Sequence, residues 1–227
     1  MIMKKSTCLI LAYVVALHLV TFALLVKVEA VPKIINKINM AVFVERQFDG
    51  ILHDHAGVVL LGDSHTWMLG RNGQQNRGIS GIMVADVPGT IPPNIAQASA
   101  ILLMIGTNDI WRGKTAGLPE RLDRLAAALP AGVPLIWSGI PPGQDFRFDL
   151  DEARTANKVI KTLCATRPGC EYVDTWSLLA DDKGEPIPRF FVSDGVHLSA
   201  DGYRVWLKAI DAVLGRIDVR SGVPAAT

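Results

Sequence analysis

Gly57-Val58-Val59-Leu60-Leu61-Gly62-Asp63-Ser64-His65 joins an uninterrupted apolar run to a polar turn. A short run with no polar interruption is expected of a strand buried on both faces of a parallel sheet. The pattern recurs at Ala100-Ile101-Leu102-Leu103-Met104-Ile105 and at Val133-Pro134-Leu135-Ile136-Trp137, and in shorter form at Glu171-Tyr172-Val173-Asp174. Helical periodicity fills the intervals. Leu118, Leu122, Leu125, Ala126 and Leu129 share one face, and Ala153, Ala156, Ile160 and Leu163 share another. Ser199 is placed to cap a last helix striped by Tyr203, Trp206, Leu207, Ile210, Val213 and Leu214. Strands alternating with helices predict a single α/β domain, a doubly wound (flavodoxin-like), mostly parallel sheet with helices on both faces.

That domain occupies residues 56–220 and is followed by a short tail, 221–227. Ahead of it, residues 31–55 carry Ile34, Ile35, Ile38, Val42 and Phe48 among charged residues and read as a helical connector. Further upstream, Lys4 and Lys5 precede Cys8 to Val26, a stretch without a charge and with only His18 and Thr21 as clear polar interruptions. A helix of that length rises about 28 Å, close to the thickness of a bilayer core. Residues 1–30 therefore read as an uncleaved signal anchor, with a cleaved signal peptide and a buried core helix as the other readings. Val28-Glu29-Ala30 would suit a signal peptidase. The lysine pair stays cytoplasmic by the positive-inside rule. The domain is thus expected to be exported, either anchored in the inner membrane and facing the periplasm or outside, or secreted.

Lys+Arg 23 against Asp+Glu 22 leaves a net charge of +1, which gives no general attraction to nucleic acid. Three cysteines are too few for a disulfide scaffold and have no zinc-ligand spacing. Cys164 and Cys170 flank a Pro-Gly pair that lets the chain double back, and an oxidising compartment would let them bridge. Cys8 reads as a membrane-facing residue.

In doubly wound sheets, ligands bind beyond the carboxyl ends of the strands. Gly62-Asp63-Ser64-His65 follows the first apolar run, and Gly106-Thr107-Asn108-Asp109 follows the second. Asn76-Arg77-Gly78-Ile79-Ser80-Gly81 lies between them, and Ser193-Asp194-Gly195-Val196-His197 precedes the last helix. A serine hydroxyl is a weak nucleophile that needs a base within hydrogen-bond reach, and a carboxylate on the base's other nitrogen fixes its tautomer. Asp194 and His197, three apart in a turn entering a helix, can meet in that way.

These four blocks, in this order, resemble the SGNH (GDSL-type) hydrolase superfamily over about residues 57–215. The resemblance implies an SGNH-hydrolase fold and a serine esterase acting through an acyl-enzyme, without cofactor or metal; the N-terminal segment makes it an exported one. Ser64 would be the nucleophile, His197 the base and Asp194 the orienting acid. The backbone N–H groups of Ser64 and Gly78 and the side-chain amide of Asn108 would form the oxyanion hole. Glycine at 78 also suits a close approach of backbone to substrate. The expected partner is a small ester or acylated carbohydrate, with acetyl favoured because the short chain has no room for a large lid. An O-acyltransferase acting on envelope polysaccharide is the alternative, and a membrane-tethered binding module without catalysis is a third.

Other residues divide between roles. Asp63 reads as a loop organiser. His65, where the family most often has Leu or Ile, reads either as a pocket residue or as a polar residue of the first helical turn. His53-Asp54-His55 reads as a solvated linker, and Arg77 as a solvated residue or an anion contact. Trp67, Trp111 and Trp137 lie close to the blocks, with packing the expected role for at least two of them.

Overall fold

The structure, a computed structural model, describes residues 13–23, 57–70 and 76–221, with side chains as far as 217. The helical connector 31–55, the sequence His53-Asp54-His55, Cys8, residues 222–227 and most of the N-terminal segment lie outside the described residues. Residues 13–23 are helical and exposed. His18 donates from Nδ1 to the Val14 carbonyl at 2.8 Å, and the Thr21 hydroxyl donates to the Leu17 carbonyl at 2.8 Å. Among the described residues, no helix is long and apolar enough to cross a membrane.

The domain is built on five parallel strands: β1 (Val58–Gly62), β2 (Asn76–Gly78), β3 (Ala100–Met104), β4 (Leu135–Ser138) and β5 (Cys170–Val173). Their order is β2-β1-β3-β4-β5. From β1 the chain first crosses to one side and then returns to build β3, β4 and β5 on the other. The boundary between β1 and β3 is therefore the switch point, where such sheets open a crevice. Register brings the functional blocks level, because Gly62 pairs with both Gly78 and Met104, and Met104 with Ser138.

Four strands follow the apolar runs with small shifts. β4 starts at Leu135 because Pro134 has no N–H to donate; its carbonyl accepts from Ile101 N–H at 2.8 Å. β2 is an addition to the expected strands. It is a three-residue edge strand, Asn-Arg-Gly, with no apolar run to announce it.

Short helices α1 (Ser64–Trp67) and α2 (Thr107–Trp111) follow β1 and β3. Longer ones, α3 (Leu118–Ala128), α4 (Leu150–Thr166) and α6 (Ala200–Ser221), cover the sheet, and α5 (Thr175–Leu179) follows β5. Alternating strand side chains divide the core between the two faces. Leu61, Ile101, Leu103, Leu135 and Trp137 pack with Leu122, Leu125 and Ile160 of α3 and α4. Leu60, Leu102, Met104 and Ile136 alternate with them and are buried too. On that second face the Trp206 indole of α6 donates to Ser138 Oγ at 2.9 Å. Ser199 Oγ accepts from Gly202 N–H at 3.3 Å and caps α6 as its sequence position predicts. The disulfide Cys164–Cys170 ties the last turn of α4 to the start of β5.

Candidate active site

The turn out of β1 is possible only with glycine at 62. Its φ is +148°, and a Cβ there would lie 2.1 Å from the Met104 carbonyl oxygen. Asp63 N–H then crosses to the Met104 carbonyl at 3.1 Å, and Asp63 Oδ1 accepts from His65 N–H at 3.0 Å, capping α1. Asp63 thus organises the turn, as expected. Ser64 is the first residue of α1, where a backbone N–H has no helical acceptor.

The loop before α6 approaches from the other side. Val192 N–H donates to the His197 carbonyl at 2.9 Å, and Gln144 N–H to the Gly195 carbonyl at 2.6 Å. Asp194 Oδ1 accepts from the N–H groups of Val196 at 3.0 Å and His197 at 2.9 Å. Its Oδ2 lies 2.8 Å from His197 Nδ1. His197 Nε2 lies 2.9 Å from Ser64 Oγ. With Nδ1–H donating to the carboxylate, Nε2 is left to accept the Ser64 hydroxyl proton. Partial burial opposes ionisation of Asp194. The ring and backbone hydrogen bonds of His197 and the N–H of Val196 outweigh it and hold the carboxyl well below the usual carboxylate range. Ser64, Asp194 and His197 are therefore brought into one hydrogen-bonded chain. Ser64 is 6% exposed, whereas the His197 and Asp194 side chains are 30% and 46% exposed.

The two further residues expected at the oxyanion hole lie close by, each already engaged. Gly78 N–H donates to Asn76 Oδ1 at 2.8 Å. The reason for glycine at 78 also differs from the expected one. A Cβ would sit 2.4 Å from Trp67 N and 2.8 Å from the Thr66 carbonyl carbon, so the space it would fill belongs to the backbone of α1 and not to substrate. The Asn108 amide donates to the Ile82 carbonyl at 3.0 Å, and its second hydrogen is the one that could serve an oxyanion.

Three supporting residues were not singled out for these roles by sequence. Asn76 donates to the Thr66 and Gly70 carbonyls at the end of α1 while its oxygen holds Gly78. Asp109 is 1% exposed and holds Val84 N–H at 3.0 Å and Arg121 at 3.2 Å. Burial raises the Asp109 carboxyl above its ordinary pKa, against the pull of those donors. His65 is a polar residue of the first turn of α1, as one of its two readings had it, and is fully buried there. Of the tryptophans, Trp137 is core, Trp111 lies under the Arg147 guanidinium at 4.0 Å, and Trp67 is 44% exposed. Trp67 borders an open cavity of about 460 Å³ with Asn76, Arg77, Gly78 and Ile79.

A serine, a histidine and a carboxylate joined by hydrogen bonds at the carboxyl edge of a parallel sheet are the working parts of a serine hydrolase. The chain belongs to the GDSL-like Lipase/Acylhydrolase family, whose profile matches residues 48–205, and is an ester hydrolase. Among solved structures it is similar to a lipase/acylhydrolase from Enterococcus faecalis, with 17% identity, TM-score 0.60, and coverage of 70% of this chain and 95% of that one. A GDSL-like lipase from Bacteroides thetaiotaomicron shares 16% identity at TM-score 0.55, covering 77% and 98%. An acetyl xylan esterase variant from Geobacillus stearothermophilus shares 21% identity at TM-score 0.56, covering 70% and 94%. At such identities the likeness speaks for the fold. No curated protein matches the chain.

Proposed function

We propose that the chain is an exported serine esterase that removes small acyl groups, acetyl above all, from carbohydrate. The observation that carries this reading is the unbroken series Asp194–His197–Ser64. Ser64 Oγ attacks the ester carbonyl carbon as its proton passes to His197 Nε2, and the tetrahedral oxyanion forms. His197 returns the proton to the leaving alcohol oxygen, and the C–O bond breaks to give the acyl-enzyme. Water, deprotonated by His197, then releases the acid and restores Ser64. Ionised Asp194 stabilises the imidazolium in both halves. The Ser64 N–H, the second amide hydrogen of Asn108 and the Gly78 N–H receive the oxyanion, the last by letting go of Asn76 Oδ1.

Several features support the finer points. The exposure of His197 and Asp194 gives water a path to the acyl-enzyme, which favours hydrolysis over transfer. The cavity beside Gly78, with Trp67 at its edge, suits a sugar ring against an aromatic face. The fold is shared with an acetyl xylan esterase. Export is supported by the uncharged stretch Cys8 to Val26 and by the Cys164–Cys170 disulfide. His18 Nδ1 and the Thr21 hydroxyl, polar groups of that stretch, hydrogen-bond to carbonyls of its own helix, which lowers the cost of placing them in a bilayer.

The test is hydrolysis of p-nitrophenyl esters of increasing acyl length, beside acetylated glycans, by the wild type and by Ser64→Ala, His197→Ala and Asp194→Asn. Activity falls with chain length. The two alanine variants lose about 10³-fold or more, and Asp194→Asn loses less. A Ser64→Ala variant retaining a tenth of wild-type activity would sink the assignment.

A further inference from the structure

Beside the exposed pair Asp194–His197 lies a second aspartate–histidine pair, Asp63–His65, whose side chains are both 0% exposed. The His65 and His197 ring centroids are 5.5 Å apart. His65 Nδ1 lies 3.2 Å from Asp63 Oδ1, and Nε2 lies 3.2 Å from the Val196 carbonyl oxygen. A carbonyl can only accept, so Nε2 is the donor. The Tyr203 hydroxyl donates to the His65 carbonyl at 3.1 Å. His65 is thus fixed through its N–H, its ring and its carbonyl. Burying an imidazole where an aliphatic side chain would fill the space costs desolvation unless its hydrogen bonds are made.

We propose that His65 is a positioning residue of the acyl-transfer site, tying the loop that carries Asp194 and His197 to the helix that carries Ser64. The inference rests on the roles given to Ser64 and His197 above. The tie runs one residue to the side of the reacting contact, so that 65 grips 196 while 64 meets 197. Three successive carbonyls of the loop are held from three places: Gly195 by Gln144 N–H, Val196 by the His65 ring, and His197 by Val192 N–H. Of these, only the His65 bond reaches α1. The Ser64–His197 bond must break and reform in every turnover, whereas the His65–Val196 bond takes no part in proton transfer. It therefore keeps the nucleophile and base in register while their own bond is open. Ser64 and His65 share a single helical turn, so holding one places the other.

Two substitutions separate this tie from mere filling of the core. Asparagine places its amide near the ring's Nδ1 and can still meet Asp63, but it falls short of Val196. Glutamine extends its amide to the position of Nε2 and can hold Val196. In the full-length chain, His65→Asn lowers kcat for p-nitrophenyl acetate, and the rate of labelling by a fluorophosphonate, about 10–100-fold at nearly unchanged KM. His65→Gln recovers both to within about threefold of wild type. Melting temperatures confirm which variants are folded. A folded His65→Asn with wild-type kcat, or equal losses in the two variants, overturns the proposal. Should neither fold, the wild type decides: imidazole-detected NMR shows a slowly exchanging His65 Nε2–H, and a rapidly exchanging one overturns it. Ser64→Ala is run alongside. Its loss of activity beside an unimpaired His65→Asn rejects the tie alone, whereas its retention of activity rejects the proposed function itself.

Discussion

Replacing Asn108 with alanine separates what this residue does for the loop after β2 from what it does for the reaction. In the free enzyme its amide donates one hydrogen bond, to the Ile82 carbonyl at 3.0 Å. Loss of a bond of this kind costs about 1 kcal/mol, or about 2–4 °C of Tm in a domain of this size. Its second amide hydrogen is the proposed oxyanion donor, and losing such a donor costs about 10²–10³-fold in kcat, or about 3–4 kcal/mol. The two effects differ enough to be read independently. The assay is steady-state hydrolysis of p-nitrophenyl acetate with a thermal melt of the same preparation. The expected result is a fall of about 10²–10³-fold in kcat, KM within a few fold, and a melting point lowered by only a few degrees. Asp109 is the internal control, since it holds Val84 N–H and Arg121 on the same short helix but offers no donor to substrate. Asp109→Ala is expected to cost mainly stability. A folded Asn108→Ala enzyme with kcat within about threefold of wild type refutes the oxyanion role. A loss expressed wholly in KM refutes it equally, because binding would then not strengthen in the transition state.

Gly78→Ala forces a Cβ to 2.4 Å from Trp67 N, against backbone that cannot turn aside; it should lower stability by about 1–3 kcal/mol and activity with it, and an unchanged Tm would refute the packing argument. Cys164 and Cys170 are six residues apart, so their bridge is worth about 2 kcal/mol, and dithiothreitol or the paired Cys→Ser change should lower Tm by about 4–8 °C while leaving kcat in place. The carboxyl of Asp194 titrates below its unfolded value, so it adds stability above the ordinary carboxylate pKa near 3.9 and loses it as pH falls through the lower folded value. The Tm difference between wild type and Asp194→Asn should stay constant above about pH 5 and close on further acidification. A difference that does not change with acid would contradict the hydrogen-bonded geometry.

Most of the sheet could be read from the chain because parallel strands are buried on both faces, and this burial demands continuous apolar runs at Val58, Ala100, Leu135 and, more weakly, Cys170. β2 escaped for the complementary reason. An edge strand of three residues pairs on one side only, and Asn76-Arg77-Gly78 needs no apolar side chain. Helices α1 and α2 are a single turn each, too short to show a period, whereas α6 was visible from its Ser199 cap and its apolar stripe.

The site divides along the same line. Asp194 and His197 could be paired from sequence because three residues in a turn fix their separation, whereas the need for glycine at 62 emerged only with the backbone, from its φ of +148° and the closeness of the Met104 carbonyl. The supports were hidden because their partners are distant in the chain or belong to the backbone. His65 meets a carbonyl 131 residues away, Asn108 meets one 26 away, and Asp109 holds the N–H of Val84. A backbone carbonyl leaves no mark on composition or periodicity, so a buried polar side chain that serves one reads in sequence as an ordinary polar residue. Glycine at 78 was read in the sequence as room for substrate, and the packing that requires it was visible only once β2 was seen to lie against α1. The chemistry-bearing atoms are thus few and local in sequence. The atoms that hold them in place are long-range contacts to backbone, and these emerge only from the fold.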